Sequence, residues 1–407
     1  LSVYYNIISL TRSQIHCQRI YMHINKTILS ISLAMGFSFA LILGFLPLIF
    51  NNNPTPPLQA TDQISIPNPT LTPTPTSIPN INTLSLDTIM NDSYQNNRVK
   101  LSHLPQNEVI QIVAGGDVML GREVGVNITR LQDFTYPFQL VAPVFQTADI
   151  AMVNLENPVI DNCPLTSEGM TFCSSPGTLL GLEYASIDVV NLANNHTLNY
   201  GNQGLDQTLK YLSQSQIRYT GLDNQTTILE IRGVKVAILG FSAFSNNDRL
   251  SQLDRENIQS SLSQVSKISD LQIVNFHWGS EYQPQPSVSQ RLLAYTAIDA
   301  GADVIIGHHS HWVQGVEVYK EKPIFYSLGN LIFDQMWSTS TREGLIVELN
   351  FFRNQVAGIY LKPTFIQNIA QPNLIPAGRG NSTLGKIENL SKSLQDSQSQ
   401  MLQLYQP

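Results

Sequence analysis

Positive charge is scarce in this chain. Its 407 residues carry 23 Lys and Arg against 30 Asp and Glu, a formal net charge of −7, and only 13% of them are charged. A nucleic-acid binder needs a basic face to neutralise phosphates, so this balance argues against one. It would also repel a polyanionic substrate unless bound cations reverse the local field. Cysteine is sparse as well, at three residues. Cys17 lies in the N-terminal segment, which leaves Cys163 and Cys173 as the one pair in the rest of the chain. In an oxidising compartment these two are expected to form a disulfide that stabilises by about 2–3 kcal/mol on the chain-entropy model. Two reduced, buried thiols are the alternative. Internal repeats are absent.

Charge is missing altogether from residues 28–50, a run rich in Leu, Ile, Phe and Ala. It is long enough to cross a bilayer core of about 30 Å at roughly 1.5 Å per residue, and predicts a transmembrane helix. Arg12, Arg19 and Lys26 precede it, and no Lys or Arg follows until Arg98. The positive-inside bias therefore puts residues 1–27 in the cytoplasm and the remainder outside, as a single-pass protein of the cell membrane. A cleaved signal peptide is the rival reading, although no small-x-small site follows Phe50. The chain opens on Leu1, and Met22 is an alternative start, which would make residues 1–21 a start-site artefact.

Residues 51–107 are dominated by Pro, Thr, Asn and Ser, a composition that predicts an unfolded, extended stalk. From 108 the pattern changes. Apolar runs of strand length occur at 109–114, 150–155, 189–193, 234–241, 271–276, 304–306, 323–328 and 345–351, and helical spacing at 178–185, 203–213 and 287–300. Such alternation predicts an α/β layered domain over 108–369 with a largely buried sheet. The tail 370–407 is polar, with helical spacing over 384–404.

Histidine is concentrated where that domain would carry chemistry. All five histidines beyond residue 107 sit in short polar stretches directly after apolar runs: His196, His277, His308, His309 and His311. Asp117 and Glu156 are placed the same way. In open α/β sheets ligands bind outside the carboxyl ends of the strands, where several loops converge. Each motif alone has a plainer reading. Gly-Gly-Asp117 could be a turn, Asn-Leu-Glu156-Asn a cap or solvated edge, Asn194-Asn195 a capping pair, and His277 a structural histidine. Together on one sheet edge they point to a site for a borderline-soft divalent cation, one or two ions of Mn, Fe or Zn.

The motifs Gly116-Asp117-Val-Met-Leu-Gly-Arg122, Asn154-Leu-Glu156, Leu192-Ala-Asn-Asn-His196, His277-Trp-Gly-Ser-Glu281, Gly307-His-His-Ser-His311 and Tyr326-Ser-Leu-Gly-Asn330 occur in this order. In this the chain resembles the CapA family of poly-γ-glutamate capsule biosynthesis proteins, itself similar to calcineurin-like metallophosphoesterases. The resemblance implies a four-layer α-β-β-α sandwich with a two-metal centre. It implies Asp117, Glu156, Asn195, His277, His309 and His311 as metal ligands and His196 as the acid for the leaving group. Arg122 is placed to hold a substrate carboxylate or phosphate, or to form a structural ion pair; Glu281 could orient His277. One departure is plain: phosphoesterases carry Asp-x-His on the first strand, and Met119 stands in the histidine position.

Three functions follow. The first is an anchored, extracytoplasmic metal-dependent hydrolase acting on an anionic polymer such as poly-γ-glutamate, or on a phosphoester. The second is a non-catalytic polymer-binding or export subunit, working with other capsule synthesis subunits. The third is a metal-free relic of the fold.

Overall fold

The computed structural model describes residues 83–96, 98–244 and 247–405. The segment 1–27 expected in the cytoplasm, the expected anchor 28–50 and most of the expected stalk lie outside them. Among the described residues, no helix is long and apolar enough to cross a membrane.

Among the described residues, fourteen strands follow one another as β1 Val109–Val118, β2 Ile150–Leu155, β3 Val189–Asn191, β4 Arg218–Thr220, β5 Thr227–Ile231, β6 Val234–Ser242, β7 Leu271–His277, β8 Val304–His308, β9 Val316–Tyr319, β10 Lys322–Phe325, β11 Asn330–Ile332, β12 Glu343–Phe352, β13 Gln355–Asn368 and β14 Gln371–Leu374. They form two sheets. The first has the order β14-β13-β12-β1-β2-β3-β4, with β11 pairing beside the end of β1; the second has the order β5-β6-β7-β8-β10-β9. In the first, β1 to β4 run parallel and β12 to β14 add an antiparallel wing. In the second, β6, β7, β8 and β10 are parallel and the two edge strands antiparallel. All eight apolar runs fall on strands, though 189–193 and 323–328 continue past the ends of β3 and β10. Short strands such as β4 and β11 carry too few residues for a periodic signal.

Strand alternation separates the core into faces. Ile110, Ile112, Ile150, Met152 and Val189 from the first sheet join Val236, Ile238, Leu271, Ile273, Val304 and Ile306 from the second in one apolar cluster. The intervening Val113, Ala151, Val153 and Val190 pack with residues of the flanking helices, including Val124 and Leu205. Ala237, Leu239, Val274 and Ile305 do the same beside Ile258, Leu262 and Tyr295. Both faces of each sheet are thus covered, which is why these strands read as continuous apolar runs.

Period two has a further consequence. Carried past the last apolar residue, the inner face of β2 continues into Asn154 and Glu156, that of β3 into Asn191, that of β7 into Asn275 and His277, and that of β8 into His308. The layer between the sheets therefore turns from aliphatic to polar at the carboxyl ends of the strands.

The folded unit begins earlier than its composition indicates. Within the expected stalk, Leu86–Gln95 is a helix capped by Ser85, whose side chain accepts from Thr88 N. Leu86, Ile89 and Met90 reach the inter-sheet cluster, and Leu361 N donates to Ser93 Oγ at 2.9 Å. Its apolar residues at i, i+3 and i+4 form a narrow stripe that the surrounding Pro- and Asn-rich composition conceals. The C-terminal tail is likewise structural. Helices Ser382–Asp396 and Gln398–Leu404 bury Leu384, Ile387, Leu394 and Met401.

Candidate metal centre

Asp117 owes its place to an irregularity. By parity it would share the outer face with Val113, but the β1–β2 register runs from Ala114↔Met152 to Asp117↔Asn154, three residues against two. The extra residue turns the carboxylate inward. Glycine is needed here because β11 passes close by: a Cβ on Gly116 would lie 2.0 Å from Gly329 O. The pair of glycines therefore serves a bulge and a close approach, where the sequence pattern suggested a turn.

Asn154 organises the acidic side of the site. Asn194 Nδ2 donates to Leu155 O (2.8 Å) and to Asn154 Oδ1 (3.3 Å), and Asn191 Nδ2 donates to the same oxygen (2.9 Å). A main-chain carbonyl can only accept, so these bonds fix the Asn154 amide with its nitrogen toward the acids. That nitrogen lies 2.9 Å from Asp117 Oδ1, 3.0 Å from Glu156 Oε1 and 3.2 Å from His277 Nδ1. Ligand atoms of Asp117, Glu156 and His277 all fall within 4.8 Å of one another, and all three residues are buried.

Imidazoles close the other side. His277 Nε2 is 2.9 Å from Asn195 Oδ1, which accepts its hydrogen and leaves the Nδ1 lone pair toward the carboxylates. His308 Nδ1 lies 3.2 Å from Asp117 Oδ1 and His311 Nδ1 3.4 Å from Asp117 Oδ2. Asn330 Oδ1 also accepts from His311 Nδ1 at 2.9 Å, so His311 Nε2 keeps its lone pair. His309 donates its backbone N–H to Asp117 Oδ2 at 3.2 Å, and its ring packs 4.0 Å from Phe244 and 4.7 Å from His277. His309 and His311 have φ of 90° and 55°. Side-chain-bearing residues adopt such angles at a cost of about 1–3 kcal/mol each, and here the kinked backbone turns the His309 N–H and the His311 ring toward one carboxylate.

Burial raises the Asp117 carboxyl, but hydrogen bonds and charge from His308 and His311 outweigh it and hold the group well below its usual range. Burial, then the neighbouring Asp117 charge, pushes Glu156 well above its usual range. Burial lowers His277 well below its ordinary value, with His309 adding to the effect. It also takes His309 down to about 3, helped by His311. Neutral imidazoles and ionised carboxylates are the forms that bind cations, so His277, His309 and Asp117 are ready for one, while Glu156 would give up its proton on binding.

The donor set fits a divalent ion. Glu156 Oε2 and His309 Nδ1 are buried without a hydrogen-bond partner, a costly state for polar atoms that coordination would relieve. Mixed imidazole and carboxylate ligation suits Mn, Fe or Zn.

The structure thus brings Asp117, Glu156, His277, His309 and His311 together. Asn195 is adjacent, but on the ring edge of His277 away from the carboxylates. Met119 is buried in the apolar cluster on the outer side of the first sheet, its Sδ accepting from Gly121 N at 3.1 Å, and faces no ligand. Glu281 approaches His311 Nε2, at 4.0 Å, where His277 was the expected partner. His308, Asn154 and Asn330 went unassigned in the sequence; for the first two, counting by two from Ile306 and Met152 would have found them.

His196 and Arg122 stand beside this cluster. His196 stacks on Phe172, ring centroids 3.9 Å apart, and burial takes its imidazole down to about 4. Arg122 forms a bidentate pair with Asp334 and donates to Gly169 O at 2.9 Å. Cys163 and Cys173 are disulfide-bonded, their Cα atoms 5.9 Å apart.

Fold and site together define a two-sheet α/β protein with a buried carboxylate–imidazole cluster at the strand ends. Residues 111–335, which include every one of these site residues, match the family described as Bacterial capsule synthesis protein PGA_cap, and the chain belongs to that family. Over 285 residues it is 34% identical to the "Capsule biosynthesis protein CapA" of Bacillus anthracis, covering 64% of this chain and 69% of that one. Over 265 residues it is 33% identical to the "PGA biosynthesis protein CapA" of Bacillus subtilis (strain 168), covering 61% and 69%. Among solved structures, a putative 5'-nucleotidase from Staphylococcus aureus in complex with alpha-ketoglutarate aligns over 69% of this chain and 58% of its own, with 13% identity and a TM-score of 0.37.

Proposed function

We propose that this protein is a metal-dependent hydrolase-type enzyme of capsule polymer synthesis, anchored in the membrane and acting outside it on an anionic polymer such as poly-γ-glutamate, or on a phosphoester. The buried cluster carries the reading: Asp117, Glu156 and His277 converge, with Glu156 Oε2 and His309 Nδ1 unpartnered. The names of the two relatives support the polymer, the charge-free run 28–50 the anchor, and the disulfide an oxidising compartment. The three apolar clusters support the four-layer order.

Asp117, Glu156 and His277, joined by His309 and His311, would hold one or two ions. A bound ion of this kind activates water and polarises an acyl or phosphoryl group. His196 offers the substrate its Nε2, which accepts a proton in the neutral ring and can return it to a leaving group. Arg122 is engaged by Asp334 and Gly169, so a bound cation would supply the positive charge that faces a substrate anion.

Metal content of the purified chain, beside Glu156→Gln and His309→Ala, tests this reading. One or two equivalents in the parent and a deficit in both variants are expected; a metal-free parent would sink it. Burial of Met119 away from the cluster favours a second reading, in which an incompletely ligated centre only grips polymer for export. Incubation with poly-γ-glutamate separates the two, shortened product marking the enzyme and saturable, metal-dependent binding without product marking the subunit.

A further inference from the structure

Phe172 has no part in the chemistry above, yet it is wedged between His196 and Arg122. Its ring is 2% exposed, stacked on His196 at 3.9 Å with 26° between planes, and lies 4.5 Å below the Arg122 guanidinium. Phe333 meets its edge at 6.0 Å. The backbone of Phe172 is engaged as well: its N–H donates to Asn199 Oδ1 at 2.6 Å, and His196 Nδ1 lies 3.1 Å from the same atom. A main-chain N–H can only donate, so that atom is the amide oxygen, and His196 must present a hydrogen to it. The proton of the neutral ring therefore sits on Nδ1, and Nε2 holds the lone pair.

Apart from these contacts and the bridge of Ser174 to Val159, the segment that leads to Phe172 has few contacts of its own. Between Asn162 and Thr171 the chain has no helix or strand, and Leu165 and Met170 are 60% and 63% exposed. Such a loop buries too few apolar contacts to hold one conformation. Its ends are fixed instead: the disulfide closes it, and Cys173 O packs so near Gly121 that a Cβ there would lie 2.3 Å away. Gly169 O caps the Arg122 guanidinium from within the loop.

We propose that the disulfide-closed loop 163–173 is a positioning device for His196, delivering Phe172 so that its ring fixes the imidazole plane and its N–H holds the Asn199 oxygen that keeps the His196 proton on Nδ1. Phe172 is the positioning residue, and the disulfide makes its delivery dependent on oxidation. The role in turnover rests on the hydrolase reading; the tautomer does not, and can be read without substrate.

The test is ¹⁵N NMR of the full chain labelled at histidine nitrogens, with His196→Gln identifying the resonances and metal content measured on each sample. In the parent, His196 is expected to give separate signals for a protonated Nδ1 and an unprotonated Nε2. In Phe172→Leu, and in the Cys163→Ser/Cys173→Ser double variant, both signals move toward the average of a ring exchanging between tautomers, while metal content stays at the parent level. Phe172→Tyr, which keeps the ring, restores the parent pattern. A protonated Nε2 in the parent, or an unchanged His196 in Phe172→Leu, overturns the proposal. So does loss of metal in Phe172→Leu, which would show general support of the cluster. If the double variant fails to fold, Phe172→Leu decides alone; a parent without metal counts against the hydrolase reading and leaves the tautomer result standing.

Discussion

Asn154 presents one amide nitrogen to two carboxylates and an imidazole, a load that only its fixed orientation makes tolerable. Partners that orient metal ligands in this way influence affinity without touching the ion. Asn154→Ala is expected to weaken metal binding about 10- to 100-fold, read by competition with a chelator of known affinity. Met119 makes the opposite point. Although it stands where the family resemblance expects a histidine, its side chain belongs to the apolar core. Met119→His should therefore add no metal equivalent and should lower stability in urea by about 1–3 kcal/mol, the cost of burying an unpartnered polar group. A gain of one equivalent would show that the strand end can rotate. Type and placement of residues made Asp117 and the histidines legible as candidate ligands; the direction in which residue 119 points was not, because it depends on the bulge just before it.

Among the elements, the C-terminal helices are locked by a buried charge network. Arg291 pairs with Glu317 at 2.5 Å and donates to Leu394 O and Ser397 Oγ, while Tyr295 and Tyr326 donate to the same carboxylate. Arg291→Met leaves Glu317 buried and unpaired, and should cost about 3–5 kcal/mol in urea unfolding and expose 382–404 to protease. The N-terminal helix is tied in by Tyr94, whose hydroxyl donates to Glu388 at 2.7 Å. Burial, then that contact, raises the Tyr94 hydroxyl to about 12. A raised folded-state value means a contribution fully present below the ordinary value near 10 and lost as pH climbs through about 12. Tyr94→Phe should remove that part of the alkaline decline in thermal stability, and an identical decline in the variant would refute the linkage. None of these tertiary partners is visible along the chain, since all but the Tyr326–Glu317 pair join residues more than twenty positions apart.

For the molecule as a whole, the boundary of the folded unit matters most. Composition placed it at 108, whereas Ile89, Met90 and Leu101 are buried against the sheets and Arg98 pairs with Glu348. A chain starting at 108 should be less stable than one starting at 83 by on the order of 3 kcal/mol or more, from the aliphatic burial alone. Both should bind metal alike, since the segment supplies no ligand. Equal urea midpoints would show that the helix only rests on the domain.

By itself the sequence determined eight of the described strands, though not β13, the longest, together with their burial on both faces and the polar residues at their ends, because apolar runs and period two are local properties. Tertiary structure decided which of those residues meet. The bulge that turns Asp117 inward exists because β11 passes against Gly116, His308 and Asp117 meet because two separate sheets pack face to face, and Phe172 reaches His196 through a loop closed by a disulfide. Each is a contact between distant parts of the chain, and no local pattern encodes its geometry.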